Sequence, residues 1–139
     1  MRHRHEIDFT PQFDPDGPMT ILKRQYNHSL ENLYDSYEGL LQAIQDEQDA
    51  RQRVIDAATS IADYASEGDI GGISNSISDV ENELSDLGNA IDEIDMYEGD
   101  IVRDTESLKK IEKRLKFRPT VRPKMCREFD KLVQEARDF

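Results

Sequence analysis

Aliphatic residues recur at every seventh position through the second half of the chain: Ile73, Val80, Leu87, Ile94, Ile101, Leu108 and Leu115. Ile77, Leu84 and Ile91 supply the alternate three–four spacing. This pattern predicts one long α-helix with a narrow apolar edge, and such an edge needs a partner in water. A second run of the same kind precedes it. Tyr26, Leu30, Leu33, Tyr37, Leu40, Ile44, Glu47, Arg51, Val54, Ala58, Ile61 and Ala65 alternate steps of four and three. Tyr34, Leu41, Ile55 and Ala62 widen this edge to one side, so the first helix can touch two neighbours. It is expected to begin around Asp16–Thr20, to run to about Ser66, and to kink at Asn27, His28 and Ser29, which are poor helix formers.

Between the two runs lies Glu67-Gly68-Asp69-Ile70-Gly71-Gly72, whose glycines predict a reversal of the chain. Ser76 with Asp79, and Ser78 with Glu81, resemble capping boxes for the second helix. Folding at this turn places opposite one another residues whose numbers sum to about 139, the chain length. In that register Ala58, Ala62 and Ala65 face larger aliphatics, Arg51 falls opposite Gly88, and Glu98 and Thr105 fall near the hydroxyls of Tyr34 and Tyr37. The agreement favours an antiparallel hairpin within one chain, although a domain-swapped dimer satisfies the same seams. Glu47 and Arg51 interrupt the first seam, with the acid four residues ahead of the base. They read either as a lock on register or as a wet midpoint.

The ends differ from the middle. Pro11, Pro15, Gly17 and Pro18 make residues 1–18 an extended N-terminal arm, with Phe9 and Phe13 as anchors, or else a loose tail. Pro119 and Pro123 close the second helix. A short helix over about 124–138 then carries Met125, Phe129, Leu132, Val133, Ala136 and Phe139 on one face, to dock on the open end of the hairpin or on another chain. The expected fold is therefore all-α: a long antiparallel two-helix hairpin (19–117), coiled-coil-like, with an extended N-terminal arm (1–18) and a Pro-containing linker and short C-terminal helix (118–139).

Charge adds a polarity to this plan. The net charge is −12, yet residues 54–102 hold thirteen acids and no Lys or Arg, while residues 109–127 hold nine bases and one acid. Lys109, Lys110, Lys113, Arg114, Lys116, Arg118 and Arg122 belong to the basic stretch. The segregation reads as solvated faces or as two ends that attract one another between copies. It also suits a basic patch for nucleic acid or anionic lipid, or an acidic mimic of DNA charge. Phe117 is the one aromatic among the bases, so base stacking has little support and nucleic acid is a disfavoured partner.

Candidate chemistry is sparse. The glycines lack the spacing of a phosphate loop. The three His fall in the first 28 residues, without a Ser or Cys arrangement for nucleophilic catalysis. His3 and His5 could share a metal but lack a third ligand, and the acids lack calcium-loop spacing. No enzyme, cofactor or small-molecule substrate is expected. No apolar run reaches membrane-spanning length, and the basic start is not followed by a signal-peptide core. The single Cys126 forms no internal disulfide, which fits the cytoplasm or a particle assembled there.

The leading expectation is a non-enzymatic structural or assembly protein, a subunit packing against itself or other proteins. A virus or phage particle component is the favoured setting, because an arm plus a hairpin suits a lattice. Partner contacts are expected from Phe9, Phe13, Tyr34, Leu41, Ile55 and the basic stretch. The alternative is an acidic inhibitor of a nucleic-acid enzyme; third comes an adaptor using 109–127 on nucleic acid or lipid.

Overall fold

A computed structural model describes residues 7–138; His3, His5 and Phe139 lie outside the described residues. The fold is an all-α hairpin. Helix α1 spans Ile21–Glu67, α2 spans Ile70–Leu115 and α3 spans Val121–Arg137, with no strand among the described residues. The two long helices pack closely against each other. Two compact units divide them: the stretch up to Leu41 together with everything from Asp95 onward, and Gln42–Ile94.

The helix ends follow from local chemistry. Thr20 Oγ1 accepts the Lys23 amide at 3.2 Å and so caps α1. Gly68, at φ 72°, ends α1: its N–H reaches Ala65 O at 3.2 Å, and the Asp69 N–H reaches Tyr64 O at 2.9 Å. This is a Schellman motif, and its left-handed position favours glycine. Asp69 then begins α2, its Oδ1 accepting the Gly72 amide at 2.9 Å. The reversal is thus two residues long. The serine capping boxes are not used, and Gly71 and Gly72 lie inside α2 because Asp69 caps first. Gly72 has a packing reason to be glycine: a Cβ there would strike the Tyr64 ring. At its other end α2 stops two residues short of 117, where Lys116 turns to φ 51°.

The first unit is a three-helix bundle. Tyr26, Leu30, Leu33 and Tyr37 of α1, Leu108 of α2, and Met125, Phe129 and Leu132 of α3 form its buried centre. The arm lies on this core. The Phe13 amide donates to Asn27 Oδ1 at 3.1 Å, and Asn27 Nδ2 donates to Phe13 O at 2.8 Å. Asn27 therefore grips the arm, and α1 runs through it as regular helix instead of kinking. Gln12 Oε1 accepts the amides of Thr120 and Val121 at 3.1 and 3.0 Å. The arm thus supplies the cap of α3, whose own Thr120 makes no side-chain cap bond. Helix α3 starts at Val121, before the expected 124, because this borrowed acceptor satisfies its first amides.

Facing pairs show the register. Tyr26 meets Glu112 and Ser36 meets Asp104 in the first unit; Arg53 meets Glu83 in the second. These sums bracket 139, but the expected individual partners differ. Arg51 does not fill the space beside Gly88; it pairs with Glu47 on its own helix, with its side chain half exposed. An intrahelical pair sets no register between helices, whereas Arg53–Glu83, at 2.6 Å, spans them. Nor do Glu98 and Thr105 meet tyrosine hydroxyls. Glu98 pairs with Arg137 at 3.3 Å, Tyr34 donates to Ile7 O at 2.5 Å, and Tyr37 donates to Asp130 at 2.9 Å.

Candidate interaction surface

In the second unit Val54, Ile61, Ile73, Val80, Leu87 and Ile94 face inward as the sequence pattern places them, but the facing positions between them are offset by one residue. On α1, Ala50 is buried and Arg51 exposed; Ala57 is half-buried and Ala58 exposed. On α2, Ser76 and Ala90 are buried, and Glu83 reaches Arg53. The aliphatics next to them point away from α1: Ile77 is 45% exposed, Leu84 50% and Ile91 45%, with Ile70 at 80%. These four stand seven residues apart. They form a heptad column left largely exposed by the described residues.

The exposed residues of α1 join them. Ile55, Ala58 and Ala62 each follow a facing position (Val54, Ala57, Ile61) by one residue, as Ile77, Leu84 and Ile91 follow Ser76, Glu83 and Ala90. One residue is about 100° around a helix axis. In antiparallel helices equal offsets turn towards the same side of the pair. Ile55, Ala58 and Ala62 on α1 and Ile77, Leu84 and Ile91 on α2 therefore share one side of the second unit, with Arg51, after Ala50, and Glu81, after Val80, at its edges.

Exposed acids flank this side: Asp56 follows Ile55, Asp63 follows Ala62, Glu81 follows Val80 and Asp92 follows Ile91. Asp86 and Glu93 instead share a cleft with Asp46 and Asp49. The unit's two bases, Arg51 and Arg53, are held by Glu47 and Glu83.

The other sequence-predicted contact residues are placed differently. Tyr34 and Leu41 are buried in the core of the first unit, Tyr34 against Phe9 and Phe129 at ring distances of 5.8 and 5.2 Å. They are taken by this chain's own α3 and arm, which removes them from any partner surface. Phe9 and Phe13 pack on the same core, Phe13 edge-on to Tyr26 at 5.7 Å and Phe117 at 4.9 Å. Of the widened α1 edge, Ile55 remains half exposed.

Lys109, Lys110, Lys113, Arg114, Lys116 and Arg118 are exposed. A shallow cleft joins Lys109, Lys113 and Lys116 to Phe117, Glu112 and Arg122. Arg122 is not free to bind an anion there. It donates to both carboxylate oxygens of Glu112, at 2.5 and 3.0 Å, and this hydrogen bond, with the attraction to the carboxylate, raises its pKa.

Two hydroxyls in the bundle titrate far from the usual range. Burial, then the hydrogen bond to Glu112, pushes Tyr26 well above the ordinary 10.0; burial, then Cys126 and Asp130, does the same to Tyr37. Folding thus favours the protonated phenols. Their stabilisation is complete below pH 10 and lost as pH rises beyond it. The melting temperature should be level between about pH 7 and 9 and fall above about pH 10. Tyr26→Phe with Tyr37→Phe should flatten that fall; an equally steep fall in the double variant would contradict the assignment.

No helix among the described residues is long and apolar enough to cross a membrane. No cluster of three or more potential metal ligands occurs among them. Comparison with protein-family models, curated proteins and solved structures gives no match to this chain.

Proposed function

We propose that this protein is a non-enzymatic subunit or adaptor of a larger protein assembly, engaging another protein chain through the second unit. The observation that carries this reading is the exposed column Ile70, Ile77, Leu84 and Ile91. Scattered surface aliphatics are ordinary, but a heptad column on a helix is the pattern by which helices bury one another. An acidic inhibitor of a nucleic-acid enzyme would work through carboxylates such as those of Asp46, Asp49, Asp86 and Glu93, which share a cleft; the aliphatic column favours packing against a helix instead. The exposed lysines of 109–116 keep a polyanion contact as a secondary reading. A virus or phage particle subunit is one form this function can take, though the arm, seated on its own core, no longer argues for a lattice.

The test is absolute mass by light scattering at about 0.1 M and about 1 M salt, where the Debye length falls from about 10 to about 3 Å. Acidic repulsion should hold the chain at its 16.1 kDa monomer mass at low salt. Screening should then let the apolar side drive association at high salt. Ile77→Asp with Leu84→Asp should stay monomeric throughout. Wild type and variant identical in mass under both conditions would remove the support for this reading.

A further inference from the structure

Within the first unit, α3 shows what the +1 offset positions are for. Tyr34 follows the facing residue Leu33, and Phe129 of α3 packs on it at 5.2 Å. Glu112 follows Ile111, and Arg122 of α3 binds it. Glu98 follows Tyr97, and Arg137 of α3 reaches it at 3.3 Å. A third helix thus completes the α1–α2 pair on that side, with aromatic or aliphatic contacts in the middle and arginines towards the acids of α2. The second unit has the same construction without the third helix.

Resting on the assembly reading, we infer that the apolar side of the second unit receives a basic amphipathic helix from a different protein, completing a three-helix bundle there. The spacing of Ile70, Ile77, Leu84 and Ile91 fits a helix running alongside for three heptads. Gly88 follows Leu87 by one residue on the same side of α2, and a Cβ there would meet nothing in this chain. Glycine inside a helix is destabilising by about 1 kcal/mol relative to alanine, and a closely approaching backbone gives it a use.

Charge decides between occupants. A second copy offering the same side would set Asp56, Asp63, Glu81 and Asp92 against the same four acids, with both local bases already paired. A second copy offering its basic stretch would present Lys109, Lys110, Lys113 and Arg114, which have no exposed aliphatic column among them. A foreign helix with aliphatic a and d positions and Lys or Arg beside them matches both the apolar centre and the acidic border.

The probe is a synthetic helical peptide of about 22 residues, the span from Ile70 to Ile91 at 1.5 Å per residue. It carries heptad Leu and Ile with flanking Lys and Arg, and is titrated into the full chain at about 0.1 M salt. The controls are a scrambled peptide of equal composition and an amphipathic peptide with Glu in place of the bases. Saturable binding to wild type is expected, at least tenfold tighter than either control. Ile77→Asp with Leu84→Asp should weaken it at least tenfold even though both changes add negative charge. Both positions are about half exposed, so the variant should melt somewhat below wild type, and a retained helical signal at the titration temperature separates lost binding from unfolding. Equal binding of the scrambled peptide, of the Glu peptide, or by the variant would overturn the inference. So would a wild-type dimer at low salt that the same substitutions make monomeric, which would assign the side to a second copy while leaving the assembly reading intact. High-salt association lost in the variant, without peptide binding, would likewise sink the basic helix alone.

Discussion

Phe129→Ala is expected to destabilise the protein by about 3–5 kcal/mol, the range for emptying an aromatic site in a core. Phe129 is fully buried on α3. Its ring stacks on Tyr37 at 4.9 Å with 4° between planes, and meets Tyr34 edge-on at 5.2 Å. Removing it opens a cavity between α1 and α3 and takes away the main apolar anchor of a helix only 17 residues long. Neither neighbouring tyrosine can collapse into the space, because each hydroxyl is tied elsewhere: Tyr34 to Ile7 O and Tyr37 to Asp130. The loss is a large share of the stability usual for a domain. The midpoint of thermal unfolding should fall on the order of 10 °C or more. Phe129→Leu, which keeps most of the volume, should lose less than half as much. Equal melting of the alanine variant and wild type would mean that α3 is not docked through this ring.

The hairpin was legible because hydrophobic spacing and turn chemistry agree. Ile73, Val80, Leu87, Ile94, Ile101 and Leu108 all turn towards the interior, as a heptad column should. What hydrophobicity could not resolve is direction. Beside three facing positions of α2 stands a more apolar residue: Ile77 next to Ser76, Leu84 next to Glu83, Ile91 next to Ala90. A scale of residue apolarity assigns the aliphatic to the seam. The folded chain assigns the small or paired residue there, because α1 offers Ala50 and Ala57 and an arginine at 53. On α1 itself, Ala57 and Ala58 are indistinguishable by composition, and so are the two phases they belong to. The misassigned aliphatics are the ones left exposed, so the disagreement marks the candidate surface.

The arm was legible as extended but not as seated. Its grip is made by Asn27, fourteen residues from Phe13, and by Gln12, more than a hundred residues from Thr120. Asn27 lowers helix propensity, and that is all a local reading can see. The same holds for Tyr34 and Leu41. They widen the apolar edge of α1 as Ile55 does, and only the return of α3 separates buried from displayed.

A second large effect is expected where all three helices meet a single carboxylate. Glu112 accepts the Tyr26 hydroxyl at 2.6 Å and both donors of Arg122, and the Arg122 and Glu112 side chains are only 13% and 9% exposed. Glu112→Ala leaves a guanidinium enclosed without its partner. The expected cost is about 3 kcal/mol, the low end for breaking a buried pair, because Arg122 also lines a cleft open to water. Glu112→Gln keeps one acceptor and should cost less. The interaction is separable from the packing by removing both charges. Glu112→Met with Arg122→Met leaves no charge to desolvate, and adding Tyr26→Phe leaves no hydroxyl without an acceptor. That triple variant should unfold within about 1 kcal/mol of wild type. Urea midpoints of the single, double and triple variants measure the coupling directly. A triple variant as unstable as Glu112→Ala would show that Glu112 acts through its shape in the core. Recovery would show that the pair fixes how α3 docks while adding little net stability, which leaves the burial of Phe129, Met125 and Leu132 as what holds α3 in place.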